Sequence, residues 1–182
     1  MGFAGTARFS GSCRRRGFGV EPYDWHGAKV RAVVTVAREN LLTPAGRAEL
    51  LVRLGRDPRF VGLLVATPCE TGSRARELPM PEQMIATGFV ESLPLRSEEE
   101  PWGRTFILEK GTDRGRAQLA DANVLWRFTI ELIRAAHGRG ILWVLENPWR
   151  SRLWWCPEVR ALLELSGARD VLLQHCMFGG AR

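Results

Sequence analysis

Apolar residues along this chain alternate between short unbroken runs and longer stretches with helical spacing. Phe60 to Ala66 and Ile141 to Leu145 are unbroken apolar runs, as expected of strands covered on both faces. Ala32 to Val36 is β-branched and reads as another strand, and Phe18 to Tyr23 is a shorter candidate followed by Asp24. Helical segments lie between them. Thr43-Pro44 makes a helix start, a hydroxyl cap followed by a proline in the first turn, and Leu50, Leu51 and Leu54 supply that helix with an apolar face. Leu119, Ala122, Trp126, Ile130 and Ile133 fall at helical spacing, so a long helix is expected over 113–138, packed on the core and ended by Gly138 and Gly140. Pro157 opens a short helix reaching Gly167, and Val171 to Leu173 reads as a last strand.

Strands alternating with helices predict the α/β class: one Rossmann-like domain over 1–182, with a mostly parallel sheet and helices on both faces. Ligands in such sheets sit at the carboxyl ends of the strands. Asp24, Cys69 and Glu146 each follow a strand candidate at that end. Residues 74–112 break the pattern with Pro79, Pro81, Pro94 and Pro101 and the acidic run Glu98-Glu99-Glu100. A long irregular insertion is expected there, serving either as a mobile lid or as an unstructured loop.

Charge adds a partner class. The net charge is +6, and of 26 basic residues only Lys29 and Lys110 are lysines. Arginine excess suits bidentate contacts to phosphate and points to nucleic acid, although a GC-rich coding sequence produces the same excess. No apolar run approaches the roughly 20 residues of a membrane span, and the N-terminus has no signal-peptide pattern. The cysteines at 13, 69, 156 and 176 show neither C-x-x-C pairing nor zinc-ligand spacing, and the adjacent His175 and Cys176 would point apart on a strand. An intracellular, reducing location without a metal is expected: the nucleus in a eukaryote, otherwise the cytoplasm.

The order of the short motifs carries more than any one of them. Phe3-Ala4-Gly5 precedes Phe9-Ser10; then come Asp24, Pro68-Cys69 with Ser73 four residues later, Glu146-Asn147-Pro148, and finally Gly179 to Arg182. In this order the chain resembles the catalytic domain of the cytosine-5 DNA methyltransferases. That family has an F-A-G turn, an acidic residue ending the second strand, a P-C nucleophile, an E-N-V segment and a Q-x-R-x-R segment. The resemblance spans nearly the whole chain. It departs from the family at Ala7 and Arg8, where two glycines are usual, at Gly72, where phenylalanine is frequent, at Pro148 in place of valine, and at Arg182, which no glutamine precedes. The abrupt ends suggest a piece of a longer protein, with the target-recognition region lying beyond residue 182.

The resemblance implies a chemistry. Carbon 5 of cytosine is a poor nucleophile until a thiolate adds to carbon 6. Cys69 would supply that thiolate, its pKa lowered so that it ionises near neutral pH. Glu146, kept protonated or sharing a proton by burial, would stabilise the base at ring nitrogen 3, and Arg74 would assist catalysis. Ser73, Arg76, Asn147 and Arg182 would bind substrate. The methyl donor would be S-adenosylmethionine, held by Phe3, Ala4, Gly5, Asp24, Glu39 and Pro68, with Asp24 accepting from the ribose hydroxyls. The partner would be nucleic acid, DNA ahead of RNA, with the target base turned out of the duplex. Trp149 and Arg150 are further candidates for substrate contact, whereas Trp154-Trp155 fits packing better.

Two other readings stay open. A non-catalytic, methyltransferase-like nucleic-acid-binding module or inactive fragment would keep the fold and lose the reaction. A Rossmann dinucleotide enzyme would need a G-x-G-x-x-G turn, and the chain has none.

Overall fold

The computed structural model describes residues 8–25, 37–88 and 93–172. Two pairs of parallel strands and six helices make it a mixed α/β structure. The order is α1 (Arg8–Arg15), β1 (Tyr23–Trp25), β2 (Ala37–Glu39), α2 (Pro44–Arg56), β3 (Gly62–Ala66), α3 (Glu82–Ala86), α4 (Thr105–Lys110), α5 (Asp113–Gly138), β4 (Leu142–Glu146) and α6 (Pro157–Ser166). Single 3-10 turns stand at Arg74–Glu77 and Arg152–Trp155. β1 pairs with β2, and β3 pairs with β4 from Gly62 opposite Leu142 to Ala66 opposite Glu146.

Local chemistry sets the helix starts. The Thr43 hydroxyl accepts from the Gly46 N–H at 3.2 Å, ahead of Pro44 in the first turn of α2. Thr112 does the same for α5 through Gly115, at 3.1 Å. Gly167, at φ 62°, ends α6 in the left-handed region where glycine carries no steric cost.

α5 is the spine of the core. Leu125, Phe128, Leu132 and Ile133 pack with Leu63 and Val65 of β3 and Leu50 and Leu54 of α2. One stripe round the helix, Trp126 and Ile130 meet Leu153, Cys156 and Val159. Nearer its start, Leu119 joins Leu95 and Ile107 of α4.

The strands depart from the expected two-sided burial. Leu63 and Val65 are buried against α5, but Leu142 and Val144, on the other face, are exposed. Among the described residues helices therefore cover one face of the β3–β4 pair, because alternate residues of a strand point to opposite sides. Asp24 lies within β1 rather than after it. The strand expected at Ala32 to Val36 lies outside the described residues, and β2 holds Ala37 to Glu39. Val171 and Leu172 form no strand, and Leu173 lies outside the described residues.

Residues 74–112 carry more structure than their prolines suggest. They contain α3, α4 and a 3-10 turn, and they bury Leu95, Arg96 and Ile107. The Arg104 N–H donates to the Leu95 carbonyl at 3.0 Å, closing the loop that leads into α4. Arg152 holds the rest down through Glu77 and through Glu98 at 2.6 Å. Burial pushes the Glu77 carboxyl up, but hydrogen bonds from Arg152 and Arg74 outweigh it and keep the group below the usual carboxylate range. α3 buries no residue.

Hydrogen exchange is expected to divide the segment. Amides of α3 such as Met84 and Ile85 should exchange quickly. Those of Arg104, Ile107 and Leu108, donated over a buried cluster, should be protected by about tenfold or more relative to them. Equal, fast exchange throughout would mean that the Leu95–Ile107–Leu119 contact does not hold the segment down.

Candidate functional site

β3 delivers a tight turn, Thr67 to Ser73, at its carboxyl end, and the chain secures nearly every backbone oxygen in it. The Thr67 carbonyl accepts from Asn147 Nδ2 at 2.8 Å. The Pro68 carbonyl accepts from the Trp126 indole N–H at 3.0 Å. The Cys69 carbonyl accepts from the N–H groups of Gly72, 2.9 Å, and Ser73, 2.8 Å. The Glu70 carbonyl takes Arg76 Nε at 3.0 Å, and that of Gly72 takes the Arg152 N–H at 2.8 Å. Below the turn, the buried hydroxyls of Thr67 and Thr129 share a hydrogen bond of 2.9 Å. Gly72 has no alternative at its position: a Cβ would stand 2.7 Å from the Trp126 ring.

The neighbouring strand ends at the same level. Glu146 pairs in register with Ala66, three residues before Cys69, and Asn147 spans the gap to Thr67. Pro68, Cys69, Ser73, Glu146 and Asn147 therefore meet at one end of the β3–β4 pair. Asn147 is buried, and its Oδ1 has no partner. Pro148 then turns the chain, its carbonyl accepting from the Ser151 N–H and the Trp154 indole, both at 2.8 Å. That rigid turn leaves Trp149 65% exposed beside Glu146.

The other site candidates divide. Arg76 reaches the turn, but its guanidinium faces Glu70, 3.6 Å away, and Gln118. Arg74 is exposed and pairs with Glu77 at 2.9 Å, pointing its charge along the 3-10 turn. Asp24 and Glu39 belong to the β1–β2 pair, where Asp24 stands opposite Arg38 and Glu39 opposite Trp25. Phe3, Ala4, Gly5 and Arg182 lie outside the described residues.

Two expectations about the electrostatics are corrected. Cys69 is a free, half-buried thiol whose pKa is raised, not lowered: burial is the main cause, and the carboxylates of Glu146 and Glu70 add to it against a backbone hydrogen bond. Glu146 itself is exposed rather than buried. Of the remaining described cysteines, Cys156 is fully buried, and burial drives its thiol up to about 12. Cys13 sits half-buried in α1. The sequence pattern gave no sign of Arg96, Thr71, Thr129 or Arg152 as supports of the turn, because each acts through contacts made only after folding.

Among the described residues no group of three or more His, Cys, Asp or Glu side chains is placed to hold a metal, and no helix is long and apolar enough to cross a membrane. The chain matches no family model, no curated protein and no solved structure.

The raised Cys69 pKa has a measurable sign. Alkylation of Cys69 should climb with pH to a midpoint above the ordinary thiol range. Glu146→Gln removes one like charge, so the midpoint should fall and the rate near pH 8 should rise by about two- to threefold. An unchanged or upward-shifted profile would mean that the Glu146 carboxylate does not act on the thiol.

Proposed function

We propose that this chain is a methyltransferase-like domain that moves a methyl group from S-adenosylmethionine to carbon 5 of cytosine in nucleic acid, with Cys69 as nucleophile. The observation that carries the reading is the meeting of a braced Pro68-Cys69 turn with Glu146 and Asn147 at the carboxyl ends of two paired parallel strands. A nucleophile needs a fixed position, and here the backbone on both sides of Cys69 is held.

We further propose that the two strand pairs belong to one Rossmann-like sheet of the methyltransferase type. Both pairs are parallel, and Tyr23 at the start of β1 shares a core with Leu63 near the start of β3. Asp24 and Glu39 lie on adjacent parallel strands, and the reading assigns Asp24 to the ribose hydroxyls of the cofactor. The departure at Gly72 has a physical counterpart as well. The aromatic bulk that the family often carries at that position comes here from Trp126, whose ring occupies the space of a side chain at 72.

The bound cofactor supplies a methyl group on a sulfonium. In the proposed sequence the Cys69 thiol gives up its proton to solvent and Sγ bonds to carbon 6 of the base, while Glu146, having taken up a proton from solvent, shares it with nitrogen 3. Carbon 5, now electron-rich, would take the methyl group as its bond to the donor sulfur breaks and a neutral thioether departs. Loss of the proton from carbon 5 to a water molecule would then re-form the ring double bond and expel Cys69 as the thiolate. Trp149 on its rigid turn, with Arg150 beside it, offers a stacking face and a cation to nucleotides next to the extruded base. A second reading, a nucleic-acid-binding module without turnover, is favoured by the raised Cys69 pKa.

Mass spectrometry after incubation with S-adenosylmethionine and a DNA duplex carrying 5-fluorocytosine tests the proposal, because fluorine blocks the final elimination. A covalent adduct is expected on Cys69 and should vanish in Cys69→Ser. Glu146→Gln should slow its formation by about a hundredfold without abolishing it. Asp24→Ala should weaken S-adenosylmethionine binding by about tenfold or more in calorimetry. Cofactor binding without any adduct would favour the non-catalytic reading. Adducts at Cys13, Cys156 or Cys176 would reject Cys69 as the nucleophile.

A further inference from the structure

Arg96 sits at 2% exposure, and no described carboxylate forms an ion pair with it. Its Nε donates to Thr71 Oγ1 at 3.0 Å, and one terminal nitrogen donates to both the Pro101 carbonyl and Asn123 Oδ1 at 2.7 Å. The other terminal nitrogen is buried without a partner. The plane of charge stacks 3.7 Å over the Trp126 ring. The described acids of the neighbouring stretches have other partners: Glu77 and Glu98 pair with Arg152, Glu99 bonds Ser97, Glu100 accepts from Thr105, and Glu158 accepts from Trp102.

A stabilising ion pair is therefore not what this arginine provides. Its three acceptors belong to three different pieces of chain: the cysteine turn, the 93–104 loop and α5. The stacking partner serves the same turn. Trp126 bonds the Pro68 carbonyl through its edge and lies against Gly72. Asn123 is in turn fixed by its own bond to the Trp102 carbonyl, 2.7 Å. Residues 68, 71 and 72 are thus all referenced to one stacked pair, on both sides of Cys69. A lysine has neither the flat face to stack nor the fork to reach the three acceptors.

We propose that Arg96, clamped on Trp126, is the positioning residue of the cysteine turn: through Thr71 it fixes the depth and direction at which Cys69 is held at the end of β3. Its importance for catalysis rests on the reading of Cys69 as nucleophile, but its effect on the thiol does not. Release of Thr71 lets the turn lift, Cys69 loses part of its burial, and the thiol ionises more readily.

The test uses the full chain and iodoacetamide, with the alkylation of Cys69 followed by peptide mass spectrometry as a function of pH. Thr71→Val removes one hydrogen bond, whereas Thr71→Ser keeps the hydroxyl. Thr71→Val and Arg96→Lys should each lower the midpoint for Cys69 and raise its rate near pH 8 by about threefold or more, with Cys156 still protected. Thr71→Ser should retain the wild-type profile. Combining Thr71→Val with Arg96→Lys should add little to either alone, since both cut the same link. Where Arg96→Lys does not fold, the valine and serine variants at 71 decide alone. A Thr71→Val protein that melts cooperatively, protects Cys156 and gives a Cys69 profile superimposable on wild type overturns the proposal. The fluorocytosine trap is read separately: a wild-type chain that forms no adduct sinks the methyl-transfer reading and leaves the alkylation result standing.

Discussion

A guanidinium removed from water, with no carboxylate among the described residues to meet it, is the constraint around which the cysteine end of this fold is arranged. Such an ion costs several kcal/mol to bury, even after the surroundings relax. Arg96 offsets this with charge-assisted hydrogen bonds, each worth about 1.5–3 kcal/mol, and with an indole face worth about 2 kcal/mol where water is excluded. Burial lowers its pKa to about 10, so it stays a cation at neutral pH. The offset consists of contacts to Thr71, Pro101, Asn123 and Trp126, so none of these groups can move without exposing the cost. The turn that carries Cys69, the loop that precedes α4 and the middle of α5 are thereby tied together.

The same logic explains why the proline-rich, acidic stretch is docked. Its negative charges are drawn inward or turned to local use: Glu77 and Glu98 face Arg152, which is itself buried, and Glu100 accepts from the Thr105 N–H at the start of α4. Apolar anchors at Leu95 and Ile107 complete the attachment to Leu119. α3, with Met84 and Ile85 exposed, buries no residue. The 93–112 portion acts as a clamp. Gly103, at φ 137° and pressed against Leu119, marks where that clamp bends tightly enough to exclude a side chain.

Periodicity made the helices and the central strands readable. α5 spans the residues that its apolar spacing marks, and α2 and α6 begin at the prolines expected to open them. β3 and β4 fall within a residue or two of their apolar runs and share a register that brings Glu146 level with Ala66. What the pattern could not carry was pairing between distant parts of the chain. Arg96 reads in sequence as one more arginine in an irregular stretch, and Trp126 as one more apolar residue on a helix. Their meaning lies in a stack across thirty positions and in an indole bond to Pro68. The strand faces were misread for a related reason. An unbroken apolar run fixes the element but not what lies against each side, so the exposure of Leu142 and Val144 was invisible from the run itself.

Electrostatics at the strand ends adds a condition to the methyl-transfer reading. In the free chain the Cys69 thiol is held in its neutral form, first by burial and then by the carboxylates of Glu146 and Glu70. An unactivated thiol at a fixed position resists oxidation and stray alkylation, since the thiolate is the reactive form. Under that reading the base itself changes the balance. When Glu146 takes up a proton from solvent and shares it with nitrogen 3 of cytosine, its negative charge is diminished, and one of the influences that raises the thiol pKa weakens in the same event. Activation then requires the correct base in place, because a base without a proton-accepting nitrogen at that position leaves the carboxylate charged. Rigid positioning by Arg96 and Trp126 suits this arrangement: the turn need not move to become reactive, since charge alone has to change. Selectivity would then reside in the proton shared at Glu146, and reach and orientation in the clamp beneath Cys69.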